Sequence, residues 1–328
     1  MKYIRVLENK QLSIASTLKP QPGADECLIR VRAIGINRAD LLQRDGKYPA
    51  PKGESSILGL EISGEVVESD SKGRWQKGAK VFGLVAGGGY AQYVKVKSSH
   101  LMKLPEHFTF AQGAATAETF LTAYQSLFTI AKLQSGQSVL LHAGASGVGT
   151  AAIQLAKSMG CNVVVTVGSN EKAKACLLLG ADAVINYNEE DFVEWTQKNY
   201  PQGFDVILDV VAGNYLNKNI IVAALDANIV ILAMLGGRYS DAVDIAKLLM
   251  KRITVSASTL RNRSDSYKEH LVNSFITEFG ENLNNGSIGP VIDTEFDWQN
   301  ADAAHQKMAA NANIGKLVLN MSDNDEPA

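Results

Sequence analysis

Ser138-Val139-Leu140-Leu141-His142-Ala143-Gly144-Ala145-Ser146-Gly147-Val148-Gly149-Thr150-Ala151-Ala152-Ile153-Gln154-Leu155-Ala156-Lys157 joins three readable pieces. The first six residues are an apolar run of strand length. Gly144 to Gly149 form a compact glycine-rich turn. Thr150 to Lys157 predict a helix, with Gly160 at its C′ position. Backbone without side chains lets phosphates approach closely, and the free N–H groups and dipole of a helix start favour negative charge. The spacing departs from strict G-x-G-x-x-G. Gly144 and Gly149 hold its ends, but Ser146 stands at the middle glycine, with Gly147 next to it. A plain strand-to-helix turn in any α/β protein has the same look, so the neighbouring sequence decides.

Downstream, strands and helices alternate. Asn162–Thr166, Ala183–Ile185, Phe204–Asp209, Asn228–Leu232 and Arg252–Ser256 predict strands. Glu171–Leu179, Asp191–Lys198, Tyr215–Leu225 and Ala242–Met250 predict helices. With the strand before the turn this makes six, the pattern of an α/β fold with a Rossmann-type, doubly wound parallel sheet. That sheet turns the glycine turn into a dinucleotide site. A carboxylate about 20 residues past the turn holds the ribose of NAD in such folds. Here the strand tip reads Val167-Gly168-Ser169-Asn170-Glu171-Lys172. Ser169 can donate to a 2′-phosphate and Lys172 can neutralise it, which points to NADPH. Ser169 also suits a helix cap and Lys172 a solvated charge, and both readings are compatible with a phosphate role.

Residues 1 to about 118 are β-rich: Glu26–Ile34 alternates as a strand with one wet face, followed by Glu61–Val67, Ala79–Gly83 and Tyr90–Val96. Many short strands with glycine turns suggest a small barrel-like domain. The segment from about 258 returns to mixed structure and ends in Gly315-Lys316-Leu317-Val318-Leu319, expected to rejoin the first sheet. The predicted division is therefore 1–118 plus 258–328 for a discontinuous catalytic domain and 119–257 for the inserted nucleotide domain.

Composition excludes several classes. Of 328 residues, 46% are hydrophobic and 20% charged, and the net charge is −2. Neither nucleic acid nor an anionic membrane surface would meet a dominant positive field. No apolar run has the length of a membrane span and the N-terminus does not resemble a signal peptide, so a cytoplasmic protein is expected. Cys27, Cys161 and Cys176 lack disulfide or metal spacing. Ser322–Ala328 has the composition of a disordered tail.

Asn37-Arg38-Ala39-Asp40-Leu41-Leu42-Gln43-Arg44-Asp45-Gly46-Lys47-Tyr48 and Leu58-Gly59-Leu60-Glu61-Ile62-Ser63-Gly64 resemble the zinc-free quinone oxidoreductases. These belong to the medium-chain dehydrogenase/reductase superfamily and include zeta-crystallin; the tumour-suppressor-induced quinone oxidoreductase branch is the most similar. His142–Thr150, Asn186-Tyr187 and Ala310-Asn311-Ala312-Asn313-Ile314-Gly315-Lys316 match the same family in order. The resemblance covers nearly the whole chain and implies that the β-rich domain is GroES-like. Related zinc enzymes carry Cys where this chain has Asn37 and His where it has Leu60, and neither replacement is a zinc ligand. No metal is therefore expected.

Without a metal the acceptor must already be electrophilic, a quinone or activated enone, and its oxyanion needs a proton or a hydrogen-bond donor. The resemblance puts Tyr48 beside the nicotinamide, as that donor or as a pocket wall. Asn37 could orient the acceptor oxygen or the ring amide. It further implies Arg44, Gly46, Tyr48 and Thr122 on the nicotinamide side and Ser146, Gly147 and Val148 at the pyrophosphate. Gly168, Ser169, Lys172 and Tyr187 would surround the 2′-phosphate. Leu235, Gly236 and Asn311 would complete the cleft, with Leu260 over the ring. The expected activity is NADPH-dependent quinone reduction. An enoyl or alkenal reductase, and a crystallin-like protein that binds cofactor without turnover, are the alternatives. The apolar stretches Ile229–Leu232 and Ile253–Val255 could pair sheet edges in a homodimer.

Overall fold

In the computed structural model, which describes residues 1–321, the chain starts as an antiparallel hairpin of β1 (Lys2–Val6) and β2 (Leu12–Ser16). β3 (Glu26–Gly35) follows, then α1 (Arg38–Arg44), β4 (Glu61–Glu68), β5 (Lys80–Leu84), β6 (Tyr93–Lys97) and β7 (Leu101–Lys103). On β3, Cys27, Ile29 and Val31 point into a core with Ile62, Val94 and Trp298. The opposite face is less wet than alternation predicts. Arg30 and Arg32 are half-buried, and Ala33 packs against Ala111, Ala114 and Ala115 around α2 (Phe110–Ala114). α3 (Ala117–Tyr124) comes next and runs into a π-helical turn, Gln125–Ile130.

The nucleotide-domain candidates follow as β8 (Ser138–His142), α4 (Gly147–Ser158), β9 (Asn162–Val167), α5 (Asn170–Leu178), β10 (Ala183–Asn186) and α6 (Phe192–Asn199). They continue as β11 (Phe204–Asp209), α7 (Tyr215–Val222), β12 (Ala223–Ile231), α8 (Ile245–Met250) and β13 (Thr254–Ala257). All six strands pair in parallel in the order β10-β9-β8-β11-β12-β13. The order reverses direction between β8 and β11, as in a doubly wound dinucleotide fold. β8 is buried along its whole length, which is why it reads as continuous rather than alternating apolar sequence.

Three helix ends of the nucleotide-domain candidates differ from the sequence expectation by more than one residue. α4 starts at Gly147, not Thr150, because the Ser146 hydroxyl accepts the Gly149 N–H at 3.0 Å and caps the helix early. α7 ends at Val222 instead of Leu225, since Ala223 is already paired with Phe204 of β11. Strand pairing there prevails over local helix propensity. α8 begins at Ile245, where Asp244 caps the Lys247 N–H at 3.0 Å.

The chain closes with β-α structure again: α9 (Asp265–Asn284), β14 (Ile292–Asp297), α10 (Ala301–Ala309) and β15 (Lys316–Asn320). β15 pairs antiparallel with β3, giving the sheet order β14-β15-β3-β4-β5-β7, with β6 also on β3. Two compact units result. One comprises Met1–Leu121 and the stretch from Leu260 onward, the other Thr122–Thr259. The tail expected to be disordered, Ser322–Ala328, lies outside the described residues. No helix among the described residues is long and apolar enough to cross a membrane.

Candidate functional site

In the unit Thr122–Thr259, the turn after β8 is built for close approach. Ala143 holds a left-handed φ of 56°, an uncommon state for a residue with a Cβ. A Cβ on Gly144 would lie 2.6 Å from Val165, and one on Gly149 would lie 2.5 Å from the carbonyl oxygens of Ala143 and Gly144. Glycine is therefore a steric necessity at these two positions. With Ser146 as N-cap, Gly147 and Val148 open α4 with their N–H groups at its positive end, at the carboxyl end of β8.

The tips of β9 and β10 form the next part. Ser169 caps α5 by accepting the Lys172 N–H at 3.3 Å, so hydroxyl and lysine share one turn. A Cβ on Gly168 would lie 2.8 Å from the Tyr187 Cζ and displace that phenol. Tyr187 is itself half exposed. The strand end carries no carboxylate; Glu171 comes one residue into α5 and is exposed. Beyond β12, Leu235 and Gly236 donate backbone N–H groups to Val210 and Val211, which ties that loop to the end of β11. Thr122 lies on α3, its carbonyl accepting the Ser126 hydroxyl at 2.7 Å just ahead of the π-helical turn. A helix start with free N–H groups, two glycines held by close contacts and a strand tip with hydroxyl and ammonium in place of carboxylate fit a phosphorylated dinucleotide.

A network unannounced by the sequence braces this edge from beneath. His142 shares hydrogen bonds with Thr166 Oγ1 at 3.0 Å and Asn219 Oδ1 at 2.8 Å. Asn219 donates to Asp209 at 2.9 Å, and the other Asp209 oxygen accepts the N–H groups of Val211 and Ala212. Burial pushes the His142 pKa down, so the ring is neutral and works as a linker.

The other unit gathers a buried charged cluster around Asn37. Lys316, 3% exposed, extends its ammonium to Glu61 Oε1 at 2.7 Å and to Asn37 Oδ1 at 2.8 Å. Asn37 Nδ2 donates to Glu61 Oε1 at 2.9 Å and to the Gly35 carbonyl at 3.3 Å. Both amide hydrogens of Asn37 are thus engaged, and its Oδ1 takes the Lys316 ammonium. The other oxygen of Glu61 accepts the Glu118 N–H at 2.8 Å. Asp40 accepts the N–H groups of Asn37 and Gly59, yet burial carries its pKa up to about 6. Tyr90 hydrogen-bonds His305 at 2.8 Å, and burial lowers that imidazole to about 3.

Tyr48 is half-buried beneath Arg261, whose guanidinium carbon lies 5.4 Å from the ring centre. Arg261 also donates to the Ala86 carbonyl at 2.8 Å, to Gln43 Oε1 at 2.7 Å and to the Tyr48 carbonyl at 3.4 Å. It thereby fixes the loop that follows α1. Leu260 is buried and lines a cleft of about 250 Å³ together with Ile57, Leu60, Val85, Glu118 and Arg261. Arg44 pairs with Asp302 at 3.2 Å, Asn311 accepts from Arg38 at 2.5 Å, and Gly46 has φ +77° with open space around it. Lys316 and Arg261 escaped the sequence reading. A lysine heading an apolar strand was the only available sign of the first, and nothing marked the second. Among the described residues, no group of three or more His, Cys, Asp or Glu could hold a metal ion.

Comparison with known proteins matches two stretches of the chain to protein families. Residues 23–106 match the family described as alcohol dehydrogenase GroES-like domain, and residues 147–276 the family described as zinc-binding dehydrogenase. Rat quinone oxidoreductase is 29% identical over 328 residues, covering 97% of this chain and 97% of that protein. The mouse synaptic vesicle membrane protein VAT-1 homolog is 29% identical over 323 residues, 94% of this chain and 80% of its own length. A mycobacterial protein solved in complex with NADPH superposes with a TM-score of 0.86 at 26% identity, covering 98% of this chain and 99% of that one.

Proposed function

The chain belongs to the medium-chain dehydrogenase/reductase superfamily and is an oxidoreductase of the quinone oxidoreductase type; from that premise we propose that it reduces quinones or activated enones with NADPH and without zinc. The observation that carries the cofactor choice is the β9 tip, where Gly168, Ser169 and Lys172 replace the carboxylate that would select NAD. The mycobacterial relative described as an NADPH complex supports the same choice. When bound, the reduced nicotinamide supplies hydride. The chain's own residues do the rest. Ser146, Gly147 and Val148 hold the pyrophosphate, and Ser169, Lys172 and Tyr187 hold the 2′-phosphate. Thr122, Leu235, Gly236 and Asn311 complete the binding, while Leu260 covers the ring. Arg44 and Gly46 shape the loop leading to Tyr48, and the Tyr48 hydroxyl donates a hydrogen bond to the developing oxyanion.

Zinc independence rests on the donor set. Asn37 and Leu60 offer neither thiolate nor imidazole. The carboxylate beside them, Glu61, already has a cation in Lys316 at 2.7 Å. We take the parallel-sheet unit as the NADPH-binding domain and the other as the catalytic domain, in a cytosolic enzyme. Ile229–Ile231, expected at a sheet edge, lie instead inside the sheet on β12, paired by β11 and β13; a homodimer fits the edge strand β13, near which Leu249 and Met250 are 71% and 68% exposed. Light scattering should then give twice the chain mass.

The deciding experiment follows NADPH and NADH consumption with ortho- and para-quinones and 2-alkenals after chelator treatment. NADPH-selective turnover with quinones is expected. Equal use of NADH, or stoichiometric zinc by elemental analysis, would overturn the corresponding part. Tight NADPH binding without reduction of any acceptor would instead identify a cofactor-binding protein that lacks turnover.

A further inference from the structure

We propose that Glu118 is the acid that protonates the reduced acceptor, an assignment that rests on the quinone-reductase reading above. Glu118 sits at the start of α3 and lines the same cleft as Leu60, Leu260, Arg261 and Lys268. Its backbone N–H is held by Glu61 at 2.8 Å, which fixes where the side chain begins. Among the described residues its carboxyl accepts no hydrogen bond, unlike the neighbouring Glu61, whose two oxygens are both engaged.

The groups that face it come from every side. Glu61 lies on β4, Asp40 on α1, Lys316 on β15 and Lys268 on α9, with Tyr48 and Arg261 on the adjoining loops. Burial first, and then the Glu61 carboxylate, push the Glu118 pKa up to about 8, so the proton is present at neutral pH. Lys268, held by the Arg261 carbonyl at 2.8 Å, and Lys316 both favour the carboxylate left once that proton has gone. The cleft is also lined by the exposed Leu18 and Lys95, so it reaches solvent and water can return the proton.

The balance is simple. The acceptor gains a hydride, two electrons with one proton, as the donor is oxidised. The O–H bond of Glu118 breaks as the new O–H bond forms on the reduced oxygen, and the Glu118 carboxylate is reprotonated from water. Tyr48 then has only to hydrogen-bond the oxyanion, and its own phenol keeps its proton. Burial and the nearby Glu118 both raise the Tyr48 pKa, which suits that role.

The test uses Glu118→Gln, which preserves the backbone hydrogen bond to Glu61, and Glu118→Asp. Infrared titration of the cofactor-free protein should show a protonated carboxyl band that vanishes with a midpoint of about 8 and is missing from Glu118→Gln. Turnover of Glu118→Gln should fall about 100-fold and lose the alkaline decline expected of wild type. NADPH affinity by fluorescence should stay unchanged, and Glu118→Asp should recover part of the rate. A wild-type band that titrates in the ordinary carboxylate range overturns the assignment. So does a Glu118→Gln enzyme that keeps both rate and pH profile, and that result leaves quinone reduction standing. If wild type reduces neither quinone nor enone, the functional reading falls and the assignment falls with it. Should Glu118→Gln fail to fold, the rate and pH profile of Glu118→Asp decide in the same terms.

Discussion

Lys172 and Lys316 illustrate how differently one ammonium group acts at a surface and in a core. Lys172 stands one turn into α5, half-buried, on the helix that Ser169 caps. Lys172→Ala should raise the NADPH dissociation constant about tenfold, ~1.4 kcal/mol, and leave NADH binding nearly untouched. Fluorescence titration with both cofactors checks this, and equal losses would remove Lys172 from the phosphate site. Lys316 is a structural cation, 3% exposed beside a Glu61 that is 0% exposed. Lys316→Met leaves that carboxylate without its partner and should cost about 3–5 kcal/mol in urea unfolding. Adding Glu61→Gln removes the orphaned charge, so the double variant should regain much of the loss. If the two losses simply add, the pair is not coupled. The sequence offered Lys172 openly, because a strand tip after a glycine turn has a fixed meaning. It concealed the Lys316 contact, since β15 meets Asn37 and Glu61 only through pairing across almost the whole chain.

At the level of elements, legibility followed locality. β8, its turn and α4 could be read because strand, glycines and helix are consecutive and each constrains the next. The six-stranded parallel sheet could be read for the same reason, since each βαβ crossover is a local unit with one favoured hand. Of the three helix ends placed differently, only that of α7 at Val222 was set by a partner elsewhere, the β11 pairing at Ala223, while the starts of α4 and α8 were set by adjacent caps, Ser146 and Asp244. A variant in the turn shows how tightly that local logic binds. Gly149→Ala would bring a methyl to 2.5 Å from the carbonyl oxygens of Ala143 and Gly144. Backbone cannot yield as a flexible side chain does, so the start of α4 must shift. The expected result is a loss of about 1–3 kcal/mol in stability together with loss of dinucleotide binding, read by thermal melting and fluorescence titration. Unchanged NADPH affinity would place the pyrophosphate elsewhere.

The whole molecule's response to pH gathers the buried titratable groups into one measurable curve. Asp40 and Glu118 have folded pKa values raised to about 6 and about 8, so the native state keeps protons that the unfolded chain releases. Their contribution to stability is complete below the unfolded carboxylate range and is lost as pH rises to those values. His305, lowered to about 3, and the buried His100 and His142, also lowered, act in the opposite sense. Unfolding lets them take up protons, so stability falls as pH drops below the ordinary histidine value of about 6.5. The two tendencies oppose each other below about pH 6.5. Between there and pH 8, Glu118 dominates, and stability should decline by no more than about 1.4 kcal/mol per pH unit, the limit for one proton. Denaturant unfolding at a series of pH values should therefore show wild type weakening toward pH 8 and levelling off above it. Glu118→Gln removes the proton that is lost, so its stability should stay nearly flat across the same window and exceed that of wild type most at the alkaline end. A wild-type curve already flat from pH 6.5 to 8 would mean that the half-buried carboxyl at the head of α3 ionises normally, and the acid of the cleft would have to be sought elsewhere.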